Sequence, residues 1–295
     1  MKWLLLVVGL VAVLLLTTRN LWRPGPRPPT PAERTAAAPT PACDTAPGFE
    51  VAADRNAQSF ATLQWAPFGV GETGWDAYAP AIAQEIGTRC GPTTRGFAAA
   101  LSSWQKAHDL RAVGEVGPET FEAMRVAWML RRPFVVATRG GECPAGATAA
   151  ALAQAAPAEG YMGKVVELRP GALAAYRQMR AAAQREVTAV KADPALLALV
   201  SGYRSPQSTT ARCLAEGDCG GPARANCSAH RTGLAIDLYL GGAPGFDPIS
   251  SADANRTHQA GTPAYQWLVV NAPRFGFVAY PYEPWHWEWT GEPVS

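Results

Sequence analysis

Lysine is scarce in this 295-residue sequence, and the formal net charge at pH 7 is only +2. So weak a charge creates no broad basic field, and a nucleic-acid partner is therefore not expected. The cysteines include no C-x-x-C pair, which argues against a zinc site built from thiolates. An even number of cysteines instead indicates disulfides in an exported chain, with a pairing that the sequence leaves open among Cys43, Cys90, Cys143, Cys213, Cys219 and Cys227.

The chain starts with an unbroken apolar run, WLLLVVGLVAVLLL, over residues 3–16. At about 1.5 Å per residue, this run is short for a hydrocarbon layer of about 30 Å. It is either the core of a signal peptide or a short anchor in the inner membrane. No small-x-small cleavage site follows directly, which favours the anchor. Both alternatives predict an exported protein, in the periplasm or at the cell surface.

Composition divides the chain into five parts. Residues 1–22 are the signal peptide or anchor, and residues 23–48 are rich in Pro, Ala and Thr, which predicts an extended linker. Residues 49–134 predict a small all-α domain. The Ala- and Gly-rich residues 135–160 predict a second linker, and residues 161–295 form a further domain, which the motifs at 228–239 and 282–290 predict to be catalytic.

The all-α domain contains a helix face marked by Phe97, Leu101 and Trp104, followed by a helix predicted over residues 118–130. The stretch GFAAALSSWQKAHDLRAVGEVGPETFEAM resembles the second half of the three-helix peptidoglycan-binding module. The pattern of that family is an aromatic-Gln pair, a Leu and G-x-V-G-x-x-T, and it is matched by Trp104-Gln105, Leu110 and residues 114–120. The resemblance implies binding to the cell wall. The alternative is a helical bundle that only packs against the catalytic domain.

The catalytic domain alternates helix and strand patterns. Residues 170–192 and 262–272 predict helices, and residues 196–201 and 277–280 predict strands. Residues 241–261 predict a long polar loop, whose His258 is interpreted as a solvated side chain and not as a ligand.

Two segments hold the residues for chemistry, SAHRTGLAIDLY at 228–239 and YEPWHWEWT at 282–290. Period-two alternation predicts that each contains a strand, with Asp237 on one and His286 on the other. If the strands are neighbours, His230, Asp237 and His286 supply the three N/O ligands of a catalytic zinc and leave a fourth position for water. Pro284 places Glu283 at a bend, where its carboxylate can act as the general base.

Two further charged residues each have two interpretations. Arg204 lies in the string SGYRS at the end of a predicted strand, where its guanidinium suits a carboxylate or an oxyanion. A lone Arg is, however, more often a solvated surface charge. Glu288 shares a strand face with His286 and is either its hydrogen-bond partner or, as is more common, a solvated carboxylate.

The order of SGYRS, SAHRTGLAIDLY, a helix and GFVAYPYEPWHWEW resembles the VanY-type D-alanyl-D-alanine carboxypeptidases. These belong to a group of zinc peptidases that includes lysostaphin and the hedgehog signalling domain. The family pattern is S-x-H-x-x-G-x-A-x-D followed by E-x-W-H. It is matched by Ser228, His230, Gly233, Ala235, Asp237, Glu283, Trp285 and His286.

The resemblance, over residues 165–291, implies roles for particular residues. Zn²⁺ would be bound by His230, Asp237 and His286, and Glu283 would be the base and then the acid. Arg204 would hold the substrate carboxylate or polarise the scissile carbonyl, and Ser228 would support the His230 loop or touch the substrate. One departure is Ala229, where many relatives have Glu, and it bears on substrate preference.

The implied fold is an α+β domain with a small antiparallel sheet flanked by helices. The implied function is removal of the terminal D-Ala from peptidoglycan stem peptides. The alternatives of the same fold are an L,D-carboxypeptidase and a stem-peptide endopeptidase. A non-catalytic wall-binding protein would have no need of the complete set of ligands and base.

Overall fold

The computed structural model describes residues 43–216 and 227–294, which belong to one compact unit. The predicted signal peptide or anchor, most of the first linker and Cys219 lie outside the described residues. Within the described ranges, no helix is both long enough and apolar enough to cross a membrane.

The N-terminal helical region contains five α-helices and one hairpin. The helices are α1 (Glu50–Ser59), α2 (Ala79–Glu85), α3 (Arg95–Ala107), α4 (Pro118–Arg131) and α5 (Pro133–Ala137). Strands β1 (Gln64–Trp65) and β2 (Glu72–Thr73) pair antiparallel, so the region is not entirely α-helical as predicted. The predicted helix face is confirmed, because Phe97, Leu101 and Trp104 are buried in one apolar core, which they share with Phe121, Met124 and Trp128 of α4.

The motif that resembles the peptidoglycan-binding module has a structural use in this region. The Gln105 side chain accepts a hydrogen bond from Gly114 N (2.8 Å) and donates one to Thr120 Oγ1 (2.8 Å). Gln105 is fully buried, so these bonds satisfy an amide that would otherwise be costly to bury. The motif therefore joins α3 to the turn before α4.

The catalytic domain is of the predicted α+β class. Its strands are β3 (Ala153–Gln154), β4 (Glu167–Leu168), β5 (Leu199–Ser201), β6 (Ala235–Leu238), β7 (Phe277–Ala279) and β8 (His286–Trp289). Its helices are α6 (Pro170–Glu186), α7 (Thr188–Ala192), α8 (Pro206–Glu216), α9 (Asp253–Ala260) and α10 (Pro263–Asn271). Four strands form an antiparallel sheet in the order β5-β6-β8-β7, and helices α6 and α10 pack on it through a shared apolar core.

Three local predictions differ from the structure. The helix predicted over 170–192 breaks at Val187, which is extended (φ −121°, ψ 113°) and packs against the core. Helix α8 was not predicted. The loop predicted over 241–261 contains α9, whose buried face is largely polar, with Asn255, Arg256 and Gln259. Hydrophobic periodicity cannot detect such a helix.

Residues 135–160, whose composition indicates a linker, contact the catalytic domain. Cys143 forms a disulfide with Cys227, just before the His230 segment, and Ala147 N donates to Arg231 O at 2.8 Å. Strand β3 pairs antiparallel with β4. A second disulfide joins Cys43 to Cys90, and Cys213 is also disulfide-bonded.

A buried ion pair joins the helical region to the catalytic domain. Arg256 Nη1 lies 2.9 Å from Glu72 Oε2, and the two side chains are only 1% and 3% exposed. Arg256 also donates to the Tyr78 hydroxyl and, at 2.7 Å, to Tyr282 O. Burial raises the pKa of Glu72, although the nearby Arg256 charge opposes this. The guanidinium is therefore the charge that compensates a carboxylate removed from water.

We expect Arg256→Met to lower the free energy of unfolding by about 3–5 kcal/mol, because it leaves the buried Glu72 without its cation. Urea denaturation of the oxidised protein, with its disulfides intact, measures this. The matched control is Arg274→Met, which removes an exposed pair with Glu186 (3.4 Å) and should cost at most about 1 kcal/mol. Equal losses in both variants would contradict the role given to the buried pair.

Candidate metal centre and active site

The pairing of β6 with β8 brings two of the predicted ligands together. The strands are antiparallel, and Asp237 lies directly opposite His286. Residues directly opposite on paired strands point to the same face, so both side chains leave the sheet on one side. Ile236 and Trp287, one position along each strand, are buried in the apolar core on the other side. The predicted pair of neighbouring strands is thereby confirmed.

His230 lies on a short 3₁₀ turn, Ala229–Thr232, that precedes β6. The Ser228 hydroxyl accepts a hydrogen bond from His230 N (3.3 Å), and Gly233 ends the turn with φ +70°. His230 Nδ1 lies 2.6 Å from Gly202 O. Because a carbonyl oxygen only accepts, Nδ1 is the donor, which leaves the lone pair of Nε2 for the site. Nε2 lies 3.2 Å from Asp237 Oδ2.

His230, Asp237 and His286 form a buried group that could hold a metal ion. One ligand atom of each residue lies within 4.8 Å of the others, and His286 Nδ1 is 3.0 Å from Asp237 Oδ1. Two imidazole nitrogens and one carboxylate oxygen are the donor set of catalytic zinc sites. The residues present therefore fit zinc in number, chemistry and proximity.

The electrostatics of the group favour the ligand form of His230 and Asp237 but the protonated form of His286. Burial lowers the pKa of His230, which keeps the imidazole neutral. Burial alone would raise the pKa of Asp237, but the neighbouring histidines outweigh it and lower that pKa. Burial would likewise lower the pKa of His286, but the hydrogen bond with Asp237 and the carboxylate of Glu288 raise it to about 9. Binding of a metal at His286 would thus release a proton at neutral pH.

Glu283 lies at the predicted bend, between β7 and β8. Its backbone N donates to Tyr280 O (3.0 Å), and His286 N donates to Glu283 O (2.9 Å). The carboxylate oxygen Oε2 is 3.8 Å from His286 Nδ1, at the edge of the ligand group. Burial raises the pKa of Glu283, which brings the carboxylate closer to the pKa of an effective base at neutral pH.

Arg204 follows β5 and belongs to the same site. Its Nη2 lies 3.8 Å from Asp237 Oδ2 and donates to Ser201 Oγ at 3.2 Å. The side chain is only 16% exposed, so the interpretation as a solvated surface charge is wrong. Arg204 and Ser228 both line a cavity of about 160 Å³ together with the ligand group.

One wall of this cavity comes from the helical region. It is formed by side chains at the end of α4, in α5 and just after it, namely Met129, Arg132, Phe134, Val135 and Thr138. Sequence reasoning missed this wall, because no local pattern reports a contact between segments more than 150 residues apart. The one local signal of this wall is the string Arg-Arg-Pro at 131–133. Pro133 disfavours helical geometry in Arg132, so the chain is expected to turn away from the helix axis there.

Glu288 is buried and paired, so the interpretation as a solvated carboxylate is wrong. The side chain is 2% exposed, and its Oε1 lies 2.6 Å from Arg132 Nη2. The other carboxylate oxygen accepts a hydrogen bond from Phe134 N at 3.1 Å. Burial would raise the pKa of Glu288, but the charge of Arg132 outweighs it and lowers the pKa to about 2. His286 Nε2 lies 3.6 Å from Oε1, in contact but beyond a normal hydrogen bond.

Residues 165–292 match the family described as VanY D-alanyl-D-alanine carboxypeptidase. This domain belongs to the VanY family. The matched residues contain every candidate ligand, as well as Glu283, Arg204 and Ser228. The helical wall of the cavity lies outside the matched VanY domain.

The chain is also similar to two solved structures. It is 28% identical to the LdcB LD-carboxypeptidase over 42% of this chain and 60% of that chain, with a TM-score of 0.32. It is 24% identical to DacB from Streptococcus pneumoniae D39 over 43% of this chain and 68% of that chain, with a TM-score of 0.28. The match thus spans less than two thirds of the LdcB chain. No curated protein matches the chain.

We expect Gly233→Ala to destabilise the protein more than Gly241→Ala. Both glycines have positive φ (+70° and +83°), where a side chain costs about 1–2 kcal/mol. An added Cβ at Gly233 would also lie 2.9 Å from Leu152 Cδ2, whereas at Gly241 it would meet no atom within 4 Å. Unfolding free energies of the two variants test this, and equal losses would show that the contact at the His230 turn has no cost.

Proposed function

We propose that this chain is a zinc-dependent D,D-carboxypeptidase that hydrolyses the terminal D-Ala from peptidoglycan stem peptides. The observation that carries the proposal is the convergence of His230, Asp237 and His286 beside Glu283, within a VanY domain. The family supports a carboxypeptidase of peptidoglycan. The zinc ion and the D,D-specificity are the further steps that we propose.

His230 Nε2, His286 Nδ1 and a carboxylate oxygen of Asp237 would hold the zinc. When bound, zinc supplies Lewis-acid chemistry, which acidifies water and polarises a carbonyl group. The chain prepares each ligand for this: Gly202 O orients His230, and the β6–β8 pairing fixes Asp237 against His286.

Glu283 would be the general base and then the general acid. As water attacks the scissile carbonyl carbon, the Glu283 carboxylate accepts its proton. When the C–N bond breaks, the same carboxyl returns the proton to the leaving amine of D-Ala, so Glu283 ends the cycle ionised. Burial of Glu283 and its place at the edge of the ligand group suit both steps.

Arg204 would bind the negative charge of the substrate. Its guanidinium lines the cavity and can pair with the C-terminal carboxylate or with the oxygen of the scissile carbonyl. Ser228 caps the His230 turn through its hydroxyl and lines the same cavity, so its proposed role is to support the loop at the edge of the substrate.

The proposed setting is outside the cytoplasm. The apolar segment would anchor the chain to the inner membrane, and the helical region would bind the cell wall. The support for wall binding is the sequence resemblance to the peptidoglycan-binding module around Trp104-Gln105 and residues 114–120.

We expect the zinc-loaded protein to release one D-Ala from a muropeptide with a pentapeptide stem, as measured by product mass. Glu283→Gln should lower the rate at least about 10²-fold, because a positioned base contributes about 10²- to 10⁴-fold. The matched control is Glu292→Gln, a more exposed glutamate that pairs with Arg169. Cleavage of tetrapeptide stems alone would instead indicate an L,D-carboxypeptidase, and internal cleavage would indicate an endopeptidase.

We expect the inactive Glu283→Gln protein, used as the full chain, to sediment with purified sacculi. Gln105→Ala should weaken this retention, because it removes the bonds that join α3 to the turn before α4. A full chain that stays entirely in the supernatant would remove the wall-binding proposal and leave the helical region as a partner of the catalytic domain.

A further inference from the structure

We propose that Arg132, which lies outside the VanY domain, is a positioning residue for His286 and acts through Glu288. The inference rests on the metal site of the proposed function, and it assigns part of that site to the helical region. Arg132 would not be a ligand of the metal. Its effect would reach the site through one carboxylate and one aromatic ring.

The local sequence explains why Arg132 reaches the catalytic domain. Pro133 disfavours helical geometry in the preceding residue, and Arg132 is accordingly extended (φ −79°, ψ 122°). Helix α4 therefore ends at Arg131, and the Arg132 side chain is buried at 7% exposure. Arg131, one residue earlier, stays on the outside of the helical region and pairs with Glu85.

Arg132 and the backbone of Phe134 together supply hydrogen-bond donors to both carboxylate oxygens of Glu288. Arg132 Nε and Nη2 lie 2.7 and 2.6 Å from Oε1, and Phe134 N donates to Oε2 at 3.1 Å. The N–H of Phe134 is available because it lies in the first turn of α5, where backbone donors have no partner within the helix. Residues 132–134 thus hold the Glu288 carboxylate in one orientation.

That carboxylate lies behind a proposed metal ligand. Glu288 Oε1 is 3.6 Å from His286 Nε2, while Nδ1 on the other side of the same ring faces Asp237 at 3.0 Å. The imidazole is therefore flanked by carboxylates on both sides, with Asp237 and, at 3.8 Å, Glu283 on the Nδ1 side and Glu288 on the Nε2 side. Partners on the far nitrogen of a ligating histidine orient the ring, and removing them typically weakens metal binding.

Arg132 reaches His286 by a second path, through Tyr280. The guanidinium carbon lies 3.9 Å from the centre of the Tyr280 ring. The Tyr280 ring in turn meets His286 edge to face, with centroids 5.9 Å apart and planes at 85°. A planar guanidinium can pair with Glu288 and cover this ring at the same time, which a lysine ammonium does less well.

The test is zinc affinity, measured by competition with a chromophoric chelator on the full chain after removal of metal. We expect Arg132→Gln and Glu288→Gln each to raise the Kd for Zn²⁺ about 10- to 100-fold. Arg132→Lys should recover part of the loss. The double variant, Arg132→Gln with Glu288→Gln, should bind zinc about as weakly as the weaker single variant and not by the sum of the two losses, because the two residues act as one unit.

Two control variants separate positioning from general damage. Arg131→Gln removes the neighbouring pair with Glu85, in which Arg131 is 53% exposed and neither residue lines the cavity, so zinc affinity should stay within about twofold. Glu72→Gln weakens the other buried ion pair between the helical region and the catalytic domain, so it should lower stability but not zinc affinity. If Arg132 served only the stability of the interface, Arg132→Gln would likewise lower stability and leave zinc affinity unchanged.

A variant that replaces the pair by apolar side chains, Arg132→Met with Glu288→Leu, guards against misfolding, because such replacements of buried ion pairs often keep the fold. It should still bind zinc about 10-fold more weakly or worse. Parental affinity in this variant and in folded Arg132→Gln would overturn the inference while leaving the metal site intact. A parent that binds no zinc would overturn the metal site and the inference together.

Discussion

The antiparallel register of β6 and β8 is the constraint on which the site depends. It sets Asp237 opposite His286 and sends their neighbours Ile236 and Trp287 into the core. A slip of one residue would reverse both faces, exposing the apolar side chains and burying the ligands among them. Core packing and the ligand geometry are therefore secured by the same hydrogen-bond ladder, and neither can change alone.

Buried arginines extend this constraint into the helical region. Arg256 crosses from the catalytic domain to Glu72, and Arg132 crosses from the helical region to Glu288. Each guanidinium also lies over a tyrosine near the bend that holds Glu283: Arg256 over Tyr282 at 4.3 Å and Arg132 over Tyr280 at 3.9 Å. The segment between β7 and β8 is thus held from both sides by residues that pair across the interface. The helical region therefore contributes directly to the position of the residues around the site.

Sequence reasoning predicted the parts of the site that local pattern encodes. Period-two alternation identified β6 and β8, and the proline at 284 placed Glu283 at a bend before β8. It did not reveal the partners of Glu288 and Arg204, because burial of a charge depends on distant segments. It also missed α9, whose inward side chains are polar, and the contacts of residues 135–160. The pairing of the cysteines could not be predicted from local pattern either, because Cys143 and Cys227 are 84 residues apart.

The Cys143–Cys227 bond links the start of the His230 segment to a stretch far upstream in the chain. Closing a loop of 84 residues removes chain entropy worth about 4.5 kcal/mol from the unfolded state. A chain held in a reducing compartment would lack this restraint beside its histidine turn. In the proposed setting outside the cytoplasm, an oxidising environment would keep this bond formed and so restrain the turn that carries His230.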